Sequence, residues 1–149
     1  MVSFLALSSF WKKKEAQLCF PATDKISLID FEYACYNYRG FDLGNHFCEF
    51  AGFDGDYSKY PSQEVQRKWL SSYLKSWSHS EEVPEAELEQ LYIEVNKFSL
   101  AAHFFWGVWA LVQAKISDID FDYLEYAGIR FAEYYKQKER FFGLSHPQK

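Results

Sequence analysis

Two acidic side chains close a short apolar run in Leu28-Ile29-Asp30-Phe31-Glu32-Tyr33. A rigid strand that ends in a carboxylate aims it into the crevice beyond the strand, and Asp30 placed in that way suits a divalent metal. The residues alone leave a second reading open, because an Asp at a strand end also starts turns. A second set is aromatic. Trp106 and Trp109 are three apart, so on a helix they share a face. Ring faces attract an enclosed cation by on the order of 0.5–2 kcal/mol each, and Glu49 offers the counter-charge. For any single ring, core packing is the competing reading. His46 and His103 have no nucleophile partner in the sequence. Both fall inside apolar helix patterns, which suits hydrogen-bonded structural histidines better than acid–base groups.

The elements that must position these groups follow from periodicity. Residues 25–29 are apolar and β-branched and read as a short strand ending at Asp30. Residues 33–40 read as a loop closed by Gly40. Phe41–Phe50 reads as a helix with Leu43, Phe47 and Phe50 on one face. A glycine-bearing loop spans 51–61. Ser62 is a good N-cap, with Glu64 in the first turn, for a helix whose Val65, Trp69, Tyr73 and Trp77 recur every four residues. The polar run 78–84 is a break, and Pro84 suits the first turn of the next helix. That helix runs to about Lys115 through Leu88, Leu91, Val95, Phe98, Ala102, Phe105, Trp109 and Val112. Its stretch 103–112 is apolar almost all round, so burial on most sides is expected. Caps at 117–120 precede a last helix over roughly Phe121–Lys138, and the tail after Phe142 is expected to fray. The fold class is mostly α with a small β element.

Composition narrows the function. The chain has 149 residues, enough for one domain with a real core, and is 48% hydrophobic and 21% aromatic. A formal charge of −5 disfavours a nucleic-acid partner and mildly favours a cationic ligand. Cys19, Cys35 and Cys48 lack metal-ligand spacing and read as reduced, partly buried thiols. No stretch reaches the ~18 apolar residues of a membrane span. The basic cluster Lys12-Lys13-Lys14 follows the apolar opening instead of preceding it, against a signal peptide. A cytoplasmic location is expected.

The run 26–50, ISLIDFEYACYNYRGFDLGNHFCEF, resembles the signature of choline and ethanolamine kinases. Ile29, Asp30, Glu32, Tyr33, Asn37, Tyr38, Phe41, Asp42, Asn45, His46, Phe47 and Glu49 fall at its fixed positions. Residues 101–115 and 120–127 resemble later blocks of the same family, so the resemblance covers about Lys25–Lys138. It implies the C-terminal lobe of a protein-kinase-like fold and transfer of the ATP γ-phosphate to the hydroxyl of choline or ethanolamine. That reaction opens the head-group route to phosphatidylethanolamine and phosphatidylcholine. By position, Asp30 and Glu32 would serve Mg²⁺ on ATP, and Asp42 would brace the catalytic loop. Tyr33, Glu49, Trp106, Trp109, Phe121 and Tyr126 would surround the amino alcohol. Residues 49–52, 56–61 and 120–123 resemble the ethanolamine branch, whereas 37–42 and 46–49 resemble the choline branch.

Three family parts do not occur in the sequence. There is no Gly-x-Gly-x-x-Gly, no nucleotide-binding lobe, and no His-x-Asp followed by Asn to supply the base and a second metal ligand. The expected division is an unmatched segment 1–24, the kinase-like lobe 25–142 and a tail 143–149. The expectation for this chain alone is a truncated lobe with no catalytic base and no measurable kinase activity. The rival expectation is a non-catalytic module that associates, as a homo- or heterodimer, with a full-length family member.

Overall fold

A computed structural model describes residues 2–3 and 33–145 of the chain. The strand expected over 25–29 lies outside the described residues, as do Asp30, Glu32 and Cys19. Val2–Ser3 (β1) pairs antiparallel with Cys35–Tyr36 (β2), in the register Val2 to Tyr36 and Ser3 to Cys35. The helices are Arg39–Cys48 (α1), Gln63–Ser78 (α2), Glu85–Ile116 (α3) and Tyr123–Phe142 (α4). Two 3₁₀ turns, Glu49–Ala51 and Tyr57–Lys59, lie between α1 and α2. The mostly α reading holds. Among the described residues no helix is long and apolar enough to cross a membrane.

The long α3 is the spine. Its first half joins Leu43 and Phe47 of α1 and Leu70 and Leu74 of α2 in one core, with Leu88, Leu91, Tyr92, Ile93 and Val95. Its second half, through Ala102, Trp106 and Ala110, builds another core with Phe41 and Cys48 of α1 and with Tyr126 and Ala127 of α4. Helix α1 touches both. It lies very close to α3, because a Cβ at Gly44 would stand 2.7 Å from the Val95 carbonyl oxygen and 2.8 Å from the Ser99 nitrogen. Both contacts are backbone, so only glycine permits that crossing.

Several sequence expectations need correcting. Gly40 does not close a loop. It is buried in the first turn of α1, where a Cβ would meet Phe98 at 2.6 Å, so the helix begins at Arg39 and not Phe41. The helix also stops at Cys48, and Phe50 is left exposed on the 3₁₀ turn. In α2 the sealed seam is Gln66, Leu70 and Leu74, one position along from the aromatic stripe. Trp69 and Tyr73 pack on the flank of that seam, whereas Val65 and Trp77 are exposed. The rings stack in a ladder, Trp69 on Tyr73 at 6.0 Å and Tyr73 on Trp77 at 6.1 Å. Ser62 does cap α2, its Oγ accepting from the Val65 N–H at 3.4 Å. Pro84 is the N-cap residue of α3 and not part of its first turn. Helix α4 starts at Tyr123, capped by the Asp122 carboxylate, and continues to Phe142.

The last correction is the largest. The stretch 103–112 is not buried on most sides. Phe104 is 54% exposed and Val112 50%, and Phe105, Val108 and Leu111 are also open. Among the described residues, helices α1 and α4 cover two faces of α3 here and leave this third one exposed. Cys35 is exposed where a partly buried thiol was expected, while Cys48 is buried.

Candidate functional site

The second core places every described ring of the expected site side by side. Trp106, at 2% exposure, is sealed beneath its neighbours. Its ring meets Tyr33 edge-to-face at 5.9 Å and Trp109 at 5.3 Å. Trp109 meets Tyr123 at 5.8 Å, Tyr123 meets Phe121 at 4.9 Å, and Phe121 meets Tyr126 at 5.8 Å. Phe53, from the glycine-bearing loop, touches both Phe121 and Tyr126 at 5.8 Å. The result is one continuous wall of seven rings drawn from the segment before β2, the glycine-bearing loop, α3, the α3–α4 connection and α4. Edge-to-face contacts dominate it, the arrangement that ring quadrupoles prefer.

Two indole N–H groups are tied down. Trp106 Nε1 donates to Asn45 Oδ1 at 2.6 Å, and Trp109 Nε1 donates to the Tyr33 hydroxyl at 3.0 Å. Glu49 is half-buried at the start of the 3₁₀ turn, directly after the core residue Cys48. Its charge reaches Tyr126, whose hydroxyl is pushed up mainly by burial. The Arg130 guanidinium opposes that shift, and Glu49 adds to it. Arg130 is itself sealed. It lies over the Tyr126 ring at 5.9 Å and donates from Nη1 to the Tyr126 hydroxyl at 3.5 Å. Its Nε and Nη2 have no partner among the described residues. One face of Tyr126 is therefore already occupied by a cation.

Beside the wall lies a buried polar relay. His103 is 1% exposed, with the Tyr57 hydroxyl 3.5 Å from Nδ1 and Cys48 Sγ 3.6 Å from Nε2. A neutral ring satisfies the whole chain. Tyr57 O–H donates to Nδ1, Nε2–H donates to Cys48 Sγ, and the thiol donates to the Ser99 carbonyl at 3.9 Å. Burial, with Arg130 adding to it, pushes the His103 pKa down to about 3. Burial pushes the Cys48 thiol up to about 12. Both groups are held neutral, as a hydrogen-bonded structural role requires. His46 is different. It stands at the surface of α1 with its ring 5.0 Å from Trp69, and partial burial lowers its pKa.

Asp42 sits in the first turn of α1, where its charge suits the helix dipole and acts on Tyr73 of α2. The metal residues expected from sequence, Asp30 and Glu32, fall outside the described residues. Among the described residues, no group of three or more His, Cys, Asp or Glu is arranged to hold a metal. A wall of rings with a carboxylate at its edge suits a compact organic cation.

Sequence reasoning gave no role to Asn45, a fixed position of the signature, and did not single out Phe53, Tyr123 or Arg130. A signal for Asn45 exists, because it is a polar residue on the same helical face as the buried Phe41 and Cys48. Arg130 lies one turn after Tyr126, in reach of its ring. Phe53 sits in an irregular loop, where no periodicity points to it.

A long helix flanked by α1 and α4, with a ring-lined wall at their junction, agrees with the mostly α lobe that the resemblance implies. Comparison with known proteins makes the class specific. The choline/ethanolamine kinase profile matches residues 16–135, and the chain belongs to that family. It is 54% identical to the probable ethanolamine kinase A of Dictyostelium discoideum, over 84% of this chain and 36% of that protein. It is 51% identical to mouse ethanolamine kinase 1, over 83% of this chain and 35% of that protein. Among solved structures it is similar to Plasmodium vivax ethanolamine kinase, with a TM-score of 0.67 and 34% identity. That match covers 76% of this chain and 30% of the other. Choline kinase from Cryptosporidium parvum gives a TM-score of 0.68 at 27% identity, over 81% and 35% of the two chains. The chain thus spans about a third of the length of these relatives and matches their C-terminal part. Its fold is that of the kinase-like C-terminal lobe.

Proposed function

We propose that this chain, over 25–142, carries the amino-alcohol pocket of an ethanolamine or choline kinase but cannot complete phosphoryl transfer alone. The observation that carries the reading is the single wall formed by Tyr33, Trp106, Trp109, Phe121 and Tyr126, with the charge of Glu49 acting on Tyr126. A protonated or quaternary ammonium would lie against the open ring faces, with Glu49 as its counter-charge. Ethanolamine is favoured over choline by the names of the relatives. In the complete reaction the amino-alcohol oxygen attacks the γ-phosphorus of ATP. The bond to the β-phosphate breaks, ADP leaves, and a base takes the hydroxyl proton. Asp30 and Glu32 would hold Mg²⁺ on the phosphates. The base and the nucleotide lobe have no counterpart in the 149 residues. A cytoplasmic location fits this reading.

The test has two arms on the 149-residue chain. Calorimetry should detect ethanolamine or choline binding that weakens at least tenfold in Glu49→Gln. Phosphate transfer from ATP to either amine should stay at background. Transfer above background that Asp30→Ala abolishes would overturn the inactivity. Absence of binding in an otherwise folded chain would overturn the pocket.

One observation favours a second reading. The face formed by Phe104, Phe105, Val108, Leu111 and Val112 sets five exposed apolar side chains along one side of α3 and suits a protein contact. In this reading the chain is a non-catalytic module that joins a full-length family member. Co-expression with such a kinase followed by co-purification tests it. Failure to co-purify at micromolar concentration would reject it.

A further inference from the structure

We propose that Asn45 is a positioning residue of the pocket. It fixes the Trp106 ring, and through it the ring wall, without touching the ligand. The inference rests on the pocket reading above and assigns a role within it. Asn45 is 2% exposed and lies on the face of α1 turned towards α3. Its Oδ1 accepts the Trp106 indole N–H at 2.6 Å, joining residues 61 apart in sequence. The Gly44 crossing makes that reach possible. Helix α1 rides against α3 at Val95–Ser99, and Trp106 lies two turns further along α3. A polar side chain on this buried face of α1 is costly unless it is bonded. An apolar residue there would leave the sealed indole N–H without an acceptor.

The bond also chooses a ring orientation. Trp106 is boxed edge-to-face by Tyr33, Phe105 and Trp109. Packing of that kind tolerates an indole flipped end for end, whereas the hydrogen bond tolerates one orientation only. Trp109 is set in turn by its contact with Trp106 and by its bond to the Tyr33 hydroxyl. The order of dependence is therefore Asn45, then Trp106, then the half-buried rings Trp109 and Tyr33, which remain accessible to a ligand.

The test uses the full chain, ethanolamine and choline as probes, and three variants. Asn45→Asp keeps an acceptor at the same reach, Asn45→Leu removes it at similar volume, and Trp106→Phe removes the donor. Affinity is read by titration. The state of the Trp106 N–H is read from its ¹H–¹⁵N resonance and its solvent exchange. Asn45→Leu should speed exchange of the Trp106 N–H and weaken binding about tenfold, and Asn45→Asp should stay within about threefold of the wild type. In the Trp106→Phe background, Asn45→Leu should cost nothing further, because the partner is already gone. If Asn45→Leu is too unstable to study, the Asp variant and the wild type decide. Protection of the Trp106 N–H that ligand increases supports the role, and an N–H that exchanges freely in the wild type overturns it. Asn45→Leu binding as tightly as the wild type, or losing affinity equally in the Trp106→Phe background, also overturns it. A wild-type chain that ignores both amines overturns the pocket reading and this role together. A wild type that binds while its Asn45→Leu variant binds equally well overturns only the role of Asn45.

Discussion

Acid should destabilise this fold through His103 in a defined pH window. The ring is sealed, and burial, reinforced by Arg130, pushes its pKa down to about 3 from an ordinary value of 6.5. Between those two pH values the unfolded chain holds a proton that the folded chain refuses, so stability falls as pH drops through the window. Above pH 6.5 both states are neutral and there is no loss. Below about pH 3 both are protonated and the loss is complete. From pH 7 to pH 5, one such site costs about 2 kcal/mol, with a slope approaching ~1.4 kcal/mol per pH unit. The assay is urea unfolding at pH 7 and pH 5 for the wild type and His103→Gln. Every other titrating group is common to both chains, so the difference isolates the ring. The wild type should lose about 2 kcal/mol more than the variant over those two units, at an unchanged m-value. Equal losses in the two chains would refute the argument that His103 is held neutral by burial.

Three further outcomes follow from the packing. Gly44→Ala forces a methyl against the backbone of Val95 and Ser99, so α1 must shift; a stability loss of about 1–3 kcal/mol is expected in thermal or urea melts. Thiol alkylation mapped by peptide mass spectrometry should label the exposed Cys35 rapidly at pH 8, while Cys48, buried with its pKa near 12, reacts only on unfolding. The open apolar face should make the chain self-associate, and Leu111→Glu with Val112→Lys should lower that association several-fold in sedimentation experiments without changing helicity.

The helices were legible in the sequence because their apolar spacing and caps agree. Ser62 caps α2 as its residue type suggests, whereas the cap of α4 is Asp122 and not a residue of 117–120. Of the expected α3 stripe, Leu88, Leu91, Val95 and Ala102 are buried, whereas Phe105 and Val112 are exposed. The ring wall was legible only through the family signature, since spacing alone unites Trp106 with Trp109 and says nothing of Phe53 or Tyr123. Two features escaped because they depend on neighbours. Which stripe of α2 faces inward is decided by Leu70 and Leu74 fitting against α3, while the larger rings stack along the flank. Whether an all-apolar stretch is covered depends on how many elements reach it, and among the described residues two helices, α1 and α4, pack against α3 at 104–112. Gly40 reads in the sequence as the close of a loop, and Gly44 carries no reading there. They are in fact places where α1 approaches α3 too closely for a side chain.

The central claim is that the rings around Trp106 and Trp109 receive an ammonium group. The most direct measurement follows the indole N–H resonances of the five tryptophans as ligand is added to the 149-residue chain. Three ligands are compared: ethanolamine, choline, and 3,3-dimethyl-1-butanol, the neutral carbon isostere of choline. The account predicts saturable shifts of Trp109 and Trp106 with the cations, little change at Trp69 and Trp77, and no comparable response to the neutral alcohol. Equal responses to choline and its isostere, or no response at Trp109, would contradict it.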